Sequence, residues 1–452
     1  MKLSLIGGGG FRSILFTSSL LKRAEKLGID EICYMDNDVS KLNTFGLMCI
    51  RLIERNGLKI KAFLTDSIDK AADNADYVVT TVRVGGDESR IFDERMALSL
   101  GVLGQETTGA GGFAMALRTI PILTEYCEKI FNANPDARVF NFTNPSGLVT
   151  QALRNSGYDN VVGICDSPQD MIRQIANVLK TNPKNLYVEF YGLNHLSWIK
   201  KIELDGRDVI RQIIEDKDTL KKIHALRAFE PELFQVIECI PNEYLYYYYH
   251  RERAINNIVA SNKTRGEIVR EINSSLMKEL STVNIQENPD RALEIYFKYN
   301  GKRSNTYMTV ETSQPVHEET EAKAEDSEGY AGIALDVIES LSCENEHISV
   351  LSVPNDGSIT GMNDDDVVEI TCKIDKKGIL PVKIGEIPLP MLYLMRQIKL
   401  FEQLTIRAIR EKSKKIAYEA LMIHPLVCSY SIAKKLVDGY LDAYEKYTGK
   451  WK

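Results

Sequence analysis

With 452 residues, the chain is too long for one small core and indicates two lobes or one large α/β unit. Hydrophobic residues at 44% and charged residues at 26% are ordinary values for a soluble globular protein. The net charge of −7 and the lack of a basic run argue against nucleic acid as a partner. No apolar run reaches transmembrane length and the chain begins with a predicted strand, so we expect neither a membrane span nor a signal peptide. The eight scattered cysteines include no Cys-x-x-Cys pair, which predicts reduced thiols and a cytoplasmic location.

A strand, a glycine turn and a helix open the chain. Residues 1–6 are apolar, and residues 14–26 have helical character. The turn between them consists of four consecutive glycines, Gly7, Gly8, Gly9 and Gly10. This arrangement places a dinucleotide pyrophosphate at the N-terminus of a helix. The G-x-G-x-x-G pattern is not met because position 12 is Arg12, so the glycines alone are a weak signal.

An acidic residue ends the second predicted strand. Residues 31–35 are strand-like, and Asp36 follows them directly. A carboxylate at this position can accept hydrogen bonds from both ribose hydroxyls and disfavours a 2′-phosphate. Asp38 is close enough to compete for the role. We therefore expect a site for NAD, and not for NADP, at the glycine turn and Asp36.

Residues 82–112 concentrate charge and glycine after a predicted strand at residues 76–81. Three arginines and four acids crowd into thirteen residues, and Gly109, Gly111 and Gly112 follow. Glycines at this density allow the backbone to approach a ligand or to adopt positive φ. The alternative is a solvated loop with local ion pairs.

Two further predicted strands end in residues that suit a ligand site. Asn144 follows the strand at residues 138–142, and ligands of a doubly wound sheet bind outside the carboxyl ends of its strands. The alternative is an Asn-Pro turn that starts the next helix. Cys165 and His195 follow the predicted strands at residues 160–164 and 186–191.

A thiolate and an imidazole together suit a borderline-soft divalent metal. Two protein ligands are too few for a structural site but suit a catalytic ion that also binds substrate and water. Taken singly, a cysteine is more often a small buried hydrophobe and a histidine a satisfied core residue.

The C-terminal half is mostly helical. Residues 241–249 hold a tyrosine cluster, which packing as one aromatic helix face would explain for most of its members. A tyrosine near a metal and cations could instead serve as a base. Residues 317–326 are predicted to be an exposed, mobile acidic loop. A helix at residues 332–341, β-rich segments at 347–354 and 367–374, and amphipathic helices over 391–447 follow.

Taken together, these segments resemble family 4 of the glycoside hydrolases, the NAD- and divalent-metal-dependent group. The resemblance covers nearly the whole chain and is carried by an ordered set of motifs: the glycine turn, RVGG, DER, GQETTGAGG, NFTNPSG, CDSP, GLNH, YLYYY, NDGSI and HPLV. It implies the fold of lactate and malate dehydrogenases, an α/β fold with a Rossmann-type doubly wound sheet and a mixed α/β C-terminal lobe. We therefore expect a NAD-binding domain over residues 1–190. Residues 191–452 would bind substrate and metal and mediate oligomerisation.

The resemblance also implies roles for single residues. Cys165 and His195 match the metal ligands, with Mn²⁺ the usual ion. Contacts to the sugar phosphate or the metal-bound sugar are implied for Arg90, Asn144 and Arg265. Tyr244 matches the catalytic base.

That placement of the base leaves neighbouring candidates open. Tyr246, Tyr247 and Tyr248 lie within about one helical turn of Tyr244.

The family's chemistry, as the resemblance implies it, is hydrolysis through transient oxidation. NAD⁺ takes a hydride from C3 of the sugar, the metal polarises the ketone, and Tyr244 removes the C2 proton. The aglycone leaves by β-elimination, water adds, and NADH returns the hydride. A tyrosine with an ordinary pKa of about 10 is a poor base, so we expect Arg265 and the metal to favour its ionised form.

Two branches of the family compete for the substrate assignment. The NFTNPSG, GQETTGAGG and NEYLYYYY segments resemble the 6-phospho-β-glucosidases. Asp166 after the cysteine instead resembles the 6-phospho-α-glucosidases, where that aspartate is the proton donor to the leaving group. Asp166 is therefore a candidate catalytic acid of this chain, and the alternative is a polar residue that supports the site. We favour the β branch because more motifs support it. The expected substrate is a phosphorylated disaccharide or aryl glycoside.

Two alternative functions from other classes of protein stay open, and so does the oligomeric state. A NAD-dependent dehydrogenase of 2-hydroxy acids would share the fold, and so would a non-catalytic NAD sensor. Relatives of this kind are commonly homodimers or homotetramers, and we expect one of these two states.

Overall fold

The computed structural model describes residues 1–315, 329–342 and 346–452. The acidic loop predicted at residues 317–326 lies outside the described residues. In the described part of the chain, no helix combines the length and the apolar character needed to cross a membrane. Its strands are β1 (Lys2–Ile6), β2 (Glu31–Met35), β3 (Lys61–Thr65), β4 (Tyr77–Thr80), β5 (Arg138–Asn141), β6 (Val161–Gly163), β7 (Leu186–Leu193), β8 (Leu196–Leu204), β9 (Arg207–Asp208), β10 (Ile240–Pro241), β11 (His347–Pro354), β12 (Val367–Asp375) and β13 (Gly378–Pro381).

Helices connect and cover these strands. In chain order they are α1 (Ser13–Leu21), α2 (Ala24–Leu27), α3 (Val39–Lys41), α4 (Leu47–Asn56), α5 (Ile68–Ala72), α6 (Gly86–Ser99), α7 (Gly109–Ala133), α8 (Ser146–Asn155), α9 (Asp166–Val178), α10 (Ile210–Glu215), α11 (Lys217–Lys222), α12 (Pro231–Ile237), α13 (Tyr246–Tyr249), α14 (Arg251–Ser261), α15 (Arg265–Leu280), α16 (Pro289–Asn305), α17 (Thr309–Thr312), α18 (Gly329–Ser342), α19 (Leu389–Glu411), α20 (Lys414–Ile423), α21 (Tyr430–Ala443) and α22 (Glu445–Thr448). A π-helical turn, Leu42–Gly46, joins α3 to α4, and 3₁₀ turns lie at Pro183–Asn185 and Glu243–Leu245.

Six parallel strands form the expected doubly wound core. Their order is β3-β2-β1-β4-β5-β6, with every neighbouring pair parallel. This is the Rossmann strand order, in which the chain reverses direction across the sheet beside β1 and β4. The predicted fold class is confirmed. Ligands bind at the carboxyl edge of such a sheet, next to that reversal.

The C-terminal half adds strands to the same sheet. β11 pairs antiparallel with β6 through Ser352 and Gly163, and β12 and β13 continue outward from β11. A second sheet holds β7, β8, β9 and β10. β7 runs through residue 190, so the division of the chain between residues 190 and 191 stays a prediction.

The segment at residues 82–112 is largely helical and partly buried. α6 carries Arg90, Asp93 and Glu94 as buried side chains, so the solvated-loop interpretation is wrong. α7 begins at Gly109, which has φ +66°. A Cβ at Gly111 would lie 2.0 Å from the carbonyl oxygen of Gln105. This glycine therefore lets the strand-to-helix segment pack directly on α7.

Candidate active site

One cavity of about 680 Å³ opens at the carboxyl edge of the parallel strands. Its wall brings together nearly all the residues that the sequence singled out: Gly7, Gly9, Gly10, Asp36, Arg90, Asn144, Cys165, Asp166, His195, Tyr244 and Arg265. Gly8 does not line it, because it packs against the second strand, where an added Cβ would lie 2.7 Å from the Cβ of Tyr34. The tertiary structure thus joins segments that are more than 200 residues apart in the chain.

One end of the cavity has the features of a dinucleotide site. Gly7 has φ +96°, and a Cβ there would lie 2.6 Å from the carbonyl oxygen of Thr81. The backbone N–H of Gly9 donates to Asp36 Oδ2 at 3.0 Å, which ties the glycine turn to the second strand. Asp38 is the N-cap of α3 and accepts the N–H of Lys41 at 3.1 Å. Asp36 Oδ1 also accepts the N–H of Asp38 at 2.9 Å, and both carboxylates line the cavity, so the choice of Asp36 for a ribose stays a prediction.

The thiol and the imidazole converge at the centre of the cavity. Cys165 is the N-cap of α9, and His195 lies in the tight turn between β7 and β8 with φ +63°. Cys165 Sγ and His195 Nε2 are 3.7 Å apart. Zinc-like divalent ions bind nitrogen at about 2.0–2.1 Å and sulfur at about 2.3 Å, so one ion fits between the two atoms.

The pair offers few protein ligands. In the described part of the chain, no group of three or more His, Cys, Asp and Glu side chains is arranged to hold a metal. An ion here would complete its coordination from substrate and water, as catalytic metals do. The chemistry of the donor set therefore fits a catalytic, and not a structural, ion.

A hydrogen-bond chain fixes the tautomer of His195. Gln105 accepts the backbone N–H groups of Thr107 and Thr108 at 2.7 and 2.8 Å, which identifies the accepting atom as Oε1. The Thr107 hydroxyl donates to the same Oε1 at 3.1 Å. Its lone pair therefore faces His195 Nδ1 at 3.1 Å, so that nitrogen carries the proton. Nε2 is left unprotonated and faces Cys165, as a metal ligand must be.

Burial sets the protonation of both candidate ligands. It lowers the pKa of His195 to about 4, against the opposing charges of Asp166 and Glu106, so the imidazole is neutral near pH 7. Burial also raises the pKa of the Cys165 thiol well above its ordinary value, with Glu369 and Asp166 adding to the effect. A bound cation would act in the opposite direction and favour the thiolate.

Tyr244 is the tyrosine of the cluster that meets this pair. Its ring stacks on that of His195, with 3.6 Å between the centroids and 4° between the planes. Burial raises the pKa of Tyr244 well above its usual value, with Cys165 adding to the effect and a hydrogen bond from Tyr307 opposing it. The guanidinium of Arg12 is near enough to interact electrostatically with Tyr244. Arg265 instead donates to Thr306 Oγ1 and to the Arg303 carbonyl at 2.7 Å.

The other tyrosines of the cluster have structural surroundings. Tyr246 packs against Phe229 and His250, and Tyr249 accepts a hydrogen bond from Trp198 Nε1 at 3.1 Å. Tyr248 lies behind His195, against His424. Tyr247 also lines the cavity, 6.1 Å from Tyr244 between ring centroids. The packing interpretation thus describes Tyr246, Tyr248 and Tyr249.

Five arginines surround the cavity: Arg12, Arg83, Arg90, Arg265 and Arg303. Three of them are paired with acids: Arg12 with Asp166 at 2.7 Å, Arg90 with Glu94 at 2.8 Å, and both Arg83 and Arg90 with Glu106 at 2.5 and 3.2 Å. Burial alone would raise the pKa of Glu106, but Arg83 and Arg90 lower it to about 2.

Arg303 is the arginine that the sequence did not reveal. In the described part of the chain it has no carboxylate within ion-pair distance. Its guanidinium lies 4.8 Å from the centroid of the Phe11 ring and donates to Asn273 Oδ1 at 3.5 Å. Burial lowers its pKa, and the positive charges of Arg12 and Arg83 add to the effect. An anionic ligand would relieve this accumulation of positive charge.

Asp166 and Asn144 both lie at the cavity wall. Asp166 Oδ2 accepts from Arg12 at 2.7 Å, which links the residue after Cys165 to the glycine turn. Asn144 Oδ1 accepts the N–H of Ser146 at 3.4 Å at the start of α8. Thr107 and Gln105 were missed because a hydroxyl and an amide carry no metal-binding signal in sequence. Their proximity to His195 is a tertiary contact across 88 residues.

The fold and the cavity define an α/β protein of the Rossmann type with its site at the carboxyl edge of the sheet. Two family models match the chain: the family 4 glycosyl hydrolase model over residues 2–181, and the family 4 glycosyl hydrolase C-terminal domain over residues 190–427. The chain therefore belongs to family 4 of the glycosyl hydrolases. The predicted family is confirmed.

Relatives and solved structures agree with this membership. A probable 6-phospho-β-glucosidase of Bacillus subtilis is 31% identical, over 99% of this chain and 97% of that protein. The structure of the 6-phospho-β-glucosidase from Thermotoga maritima with manganese, NAD⁺ and glucose 6-phosphate is 30% identical, with a TM-score of 0.84 and full coverage of both chains. A lactate dehydrogenase from Eimeria maxima, at 16% identity, covers 90% of this chain and 96% of its own with a TM-score of 0.52, which shows a shared fold.

Proposed function

We propose that this chain is a 6-phospho-β-glucosidase that uses NAD⁺ and a divalent metal, with Mn²⁺ the expected ion. The observation that carries the proposal is the position of Cys165 Sγ, 3.7 Å from His195 Nε2, with Tyr244 stacked on the imidazole. These groups share one cavity with the glycine turn and Asp36. The substrate is a phosphorylated disaccharide or aryl glycoside.

Different residues of this cavity would bind the metal, bind the dinucleotide and act as the base. Cys165 and His195 would hold the metal, and Gly7, Gly9 and Gly10 with Asp36 would hold the dinucleotide; Gly8 supports the turn from behind. When bound, NAD⁺ accepts and returns the C3 hydride, and the metal polarises the carbonyl that this oxidation creates. The Tyr244 phenolate would remove the proton from C2, and a cation held by Cys165 and His195, whose ring stacks on Tyr244, would favour this ionised form against the burial that raises the pKa of Tyr244.

The arginines supply the recognition of the phosphate. Arg90 and Arg265, expected from the sequence, line the cavity beside Arg303, and Asn144 lies at the end of β5. Arg265 and Arg303 have no paired acid in the described residues, so their guanidinium groups are the best placed to bind a phosphate. Guanidinium groups bind phosphate oxygens through paired N–H donors.

The contact of Asp166 supports the β assignment over the 6-phospho-α-glucosidase alternative. Asp166 Oδ2 is engaged by Arg12 at 2.7 Å, in a pair that is about 35–40% exposed. A carboxylate held in this way positions Arg12 and is poorly placed to deliver a proton to a leaving group. The motifs and the named relatives favour the same branch. Replacing Asp166 by Asn should therefore leave the preference for the β-anomer unchanged.

The deciding experiment is release of p-nitrophenol from its 6-phospho-β-glucoside, with NAD⁺, Mn²⁺ and a reductant. Matched assays use the α-anomer and the unphosphorylated β-glucoside. We expect turnover of the phospho-β-glucoside that stops when NAD⁺ is omitted or a chelator is added. Turnover of the α-anomer instead would assign the α branch. Net NADH formation from a 2-hydroxy acid, without glycoside cleavage, would support a dehydrogenase.

We also propose that the protein acts in the cytoplasm as a homodimer or homotetramer. Support comes from seven described cysteines that are all free thiols, and from exposed apolar residues on α19, Leu389, Tyr393 and Leu400. Size-exclusion chromatography with light scattering tests the assembly. A monomer at all working concentrations would overturn it.

A further inference from the structure

Glu311 is a buried carboxylate in the wall of the cavity. It lies in α17, between the tyrosine cluster and the arginines, and only 4% of the residue is exposed. Its backbone carbonyl accepts the side-chain N–H of Asn257 at 2.9 Å, which fastens α17 to α14. The backbone of Glu311 is thus held in place while its side chain borders the cavity.

One of the two carboxylate oxygens has no partner in the described residues, while the backbone N–H of Glu311 itself donates to the carboxylate. Glu311 Oε2 is fully buried and has no hydrogen bond. Two neighbouring acids are paired: Glu106, in the cavity wall, lies between two arginines, and Glu94, behind the wall, accepts from Arg90 and from the Gly266 N–H, each at 2.8 Å. Buried acceptors are nearly always satisfied, so an unsatisfied one at a cavity wall points to a ligand.

The surroundings define what kind of ligand this is. Burial raises the pKa of Glu311, and the nearby charges of Arg265 and Arg90 oppose the rise. An acceptor in this position requires a donor, and a phosphate group, which is itself an acceptor, would be repelled. A hydroxyl group of a sugar supplies the missing donor at no cost in charge.

The position of Glu311 separates it from the reacting carbons. Tyr244 stacks on His195, Tyr247 lies 6.1 Å further between ring centroids, and Glu311 is the acid that acts most strongly on Tyr247. Glu311 thus lies on the Tyr247 side of Tyr244. We therefore expect the hydroxyl it meets to lie away from C3 and C2 of the sugar.

We propose that Glu311 is a specificity-determining residue that accepts a hydrogen bond from a substrate hydroxyl group, either on the phosphorylated sugar or on the leaving group. The inference rests on the proposed glycosidase function and deepens it. Without substrate, the unsatisfied carboxylate should lower the free energy of unfolding of the protein. Binding of the substrate should then supply the missing hydrogen bond and so favour the complex.

The test compares Glu311→Met, which removes the acceptor, with Glu311→Gln, which keeps a carbonyl oxygen. We expect Glu311→Met to unfold at the same or a higher temperature than the unsubstituted protein. We expect it to raise KM for a natural disaccharide phosphate on the order of tenfold, with a smaller change in kcat. Glu311→Gln should recover part of the loss. Glu402→Met, which breaks a buried pair with Lys399, is the stability control and should lower the unfolding temperature.

Measurements on Glu311→Met with three ligands show which part of the substrate carries the hydroxyl group. A weaker Kd for glucose 6-phosphate, by calorimetry, would place it on the phosphorylated sugar. An unchanged Kd, with a raised KM for the disaccharide phosphate but not for the p-nitrophenyl glycoside, would place it on the leaving group. If the unsubstituted enzyme is active, and Glu311→Met leaves Kd or KM unchanged for all three ligands, the inference is overturned. Absence of turnover in the parent enzyme would overturn the proposed function, and this inference with it.

Discussion

The Thr107 hydroxyl lies 3.1 Å from His195 Nδ1 and donates its own proton to Gln105 Oε1. This contact determines which imidazole nitrogen is free, and the free nitrogen is the one that faces Cys165. The backbone of Gln105, whose side chain accepts this proton, packs directly on α7. This contact requires a glycine at position 111, because a Cβ there would lie 2.0 Å from the carbonyl oxygen of Gln105. The geometry of the candidate metal site therefore depends on a residue that binds no metal.

Thr107→Val should weaken metal binding while preserving the fold. Valine has nearly the same shape but cannot accept the Nδ1 proton, and loss of such a partner typically costs about 10–100-fold in metal affinity. Thr107→Ser restores the hydroxyl and should bind Mn²⁺ nearly as well as the parent. Titration followed by the electron paramagnetic resonance of free Mn²⁺ gives the affinities. Nitrogen-15 spectra of labelled histidine report the tautomer in the absence of metal, and an unchanged tautomer in Thr107→Val would contradict the assignment.

Cys165→Ser should abolish glycosidase turnover but retain NAD binding. The substitution removes the thiolate from the centre of the cavity, whereas the glycine turn and Asp36 contact neither atom of the metal pair directly. NAD⁺ binding is measured by calorimetry or by quenching of protein fluorescence. Cys428→Ser, at an exposed thiol, is the matched control and should keep full activity. Full turnover in Cys165→Ser would exclude the cysteine as a ligand.

Asp93 in the DER motif should prove structural. Arg118 donates to both of its oxygens at 3.0 and 2.7 Å, the Tyr444 hydroxyl donates at 2.5 Å, and Arg118 lies 4.1 Å from the centroid of the Tyr444 ring. Asp93→Asn leaves the buried guanidinium without its charge partner. The expected loss in the free energy of unfolding is about 3–5 kcal/mol, measured by urea denaturation. Asp290→Asn, an exposed partner of Arg55, should change it by less than about 1 kcal/mol.

His424 should make stability depend on acid pH. Burial lowers its pKa from 6.5 to about 3, and its Nδ1 accepts the Leu426 N–H at 3.1 Å, so the folded protein needs the neutral ring. Because the folded pKa is the lower one, this contribution is complete above pH 6.5 and is lost as the pH falls toward 3. At about 1.4 kcal/mol for each pKa unit, the loss by pH 4 is about 3 kcal/mol.

His424→Gln keeps an acceptor but does not titrate. Its free energy of unfolding should therefore fall less between pH 6.5 and pH 4 than that of the parent. Urea denaturation across this range compares the two slopes. Parallel pH profiles would contradict the assignment of a neutral buried imidazole.

The sequence by itself determined the alternation of strands and helices, the glycine turn and the ligand types. These are local properties, because the hydrophobic periods of strands and helices and the residue preferences of turns depend on residues that are close together in the chain. It also determined which residues follow strand ends, and in a parallel sheet these gather at one edge. That rule was enough to group Asp36, Asn144 and Cys165 before any contact was known.

Only the tertiary structure decided how these residues meet. The return of β11 to the N-terminal sheet and the stacking of Tyr244 on His195 depend on contacts between distant segments. So do the lack of a carboxylate partner for Arg303 and the unsatisfied Oε2 of Glu311 among the described residues. Burial and pairing set the charge and hydrogen bonding of a side chain, and neither follows from its neighbours in sequence. The contact of Tyr244 with His195, the separation of Tyr246 and Tyr248 from it, and the partnership of Thr107 with His195 came from packing, because the chain alone does not specify which faces are brought into contact.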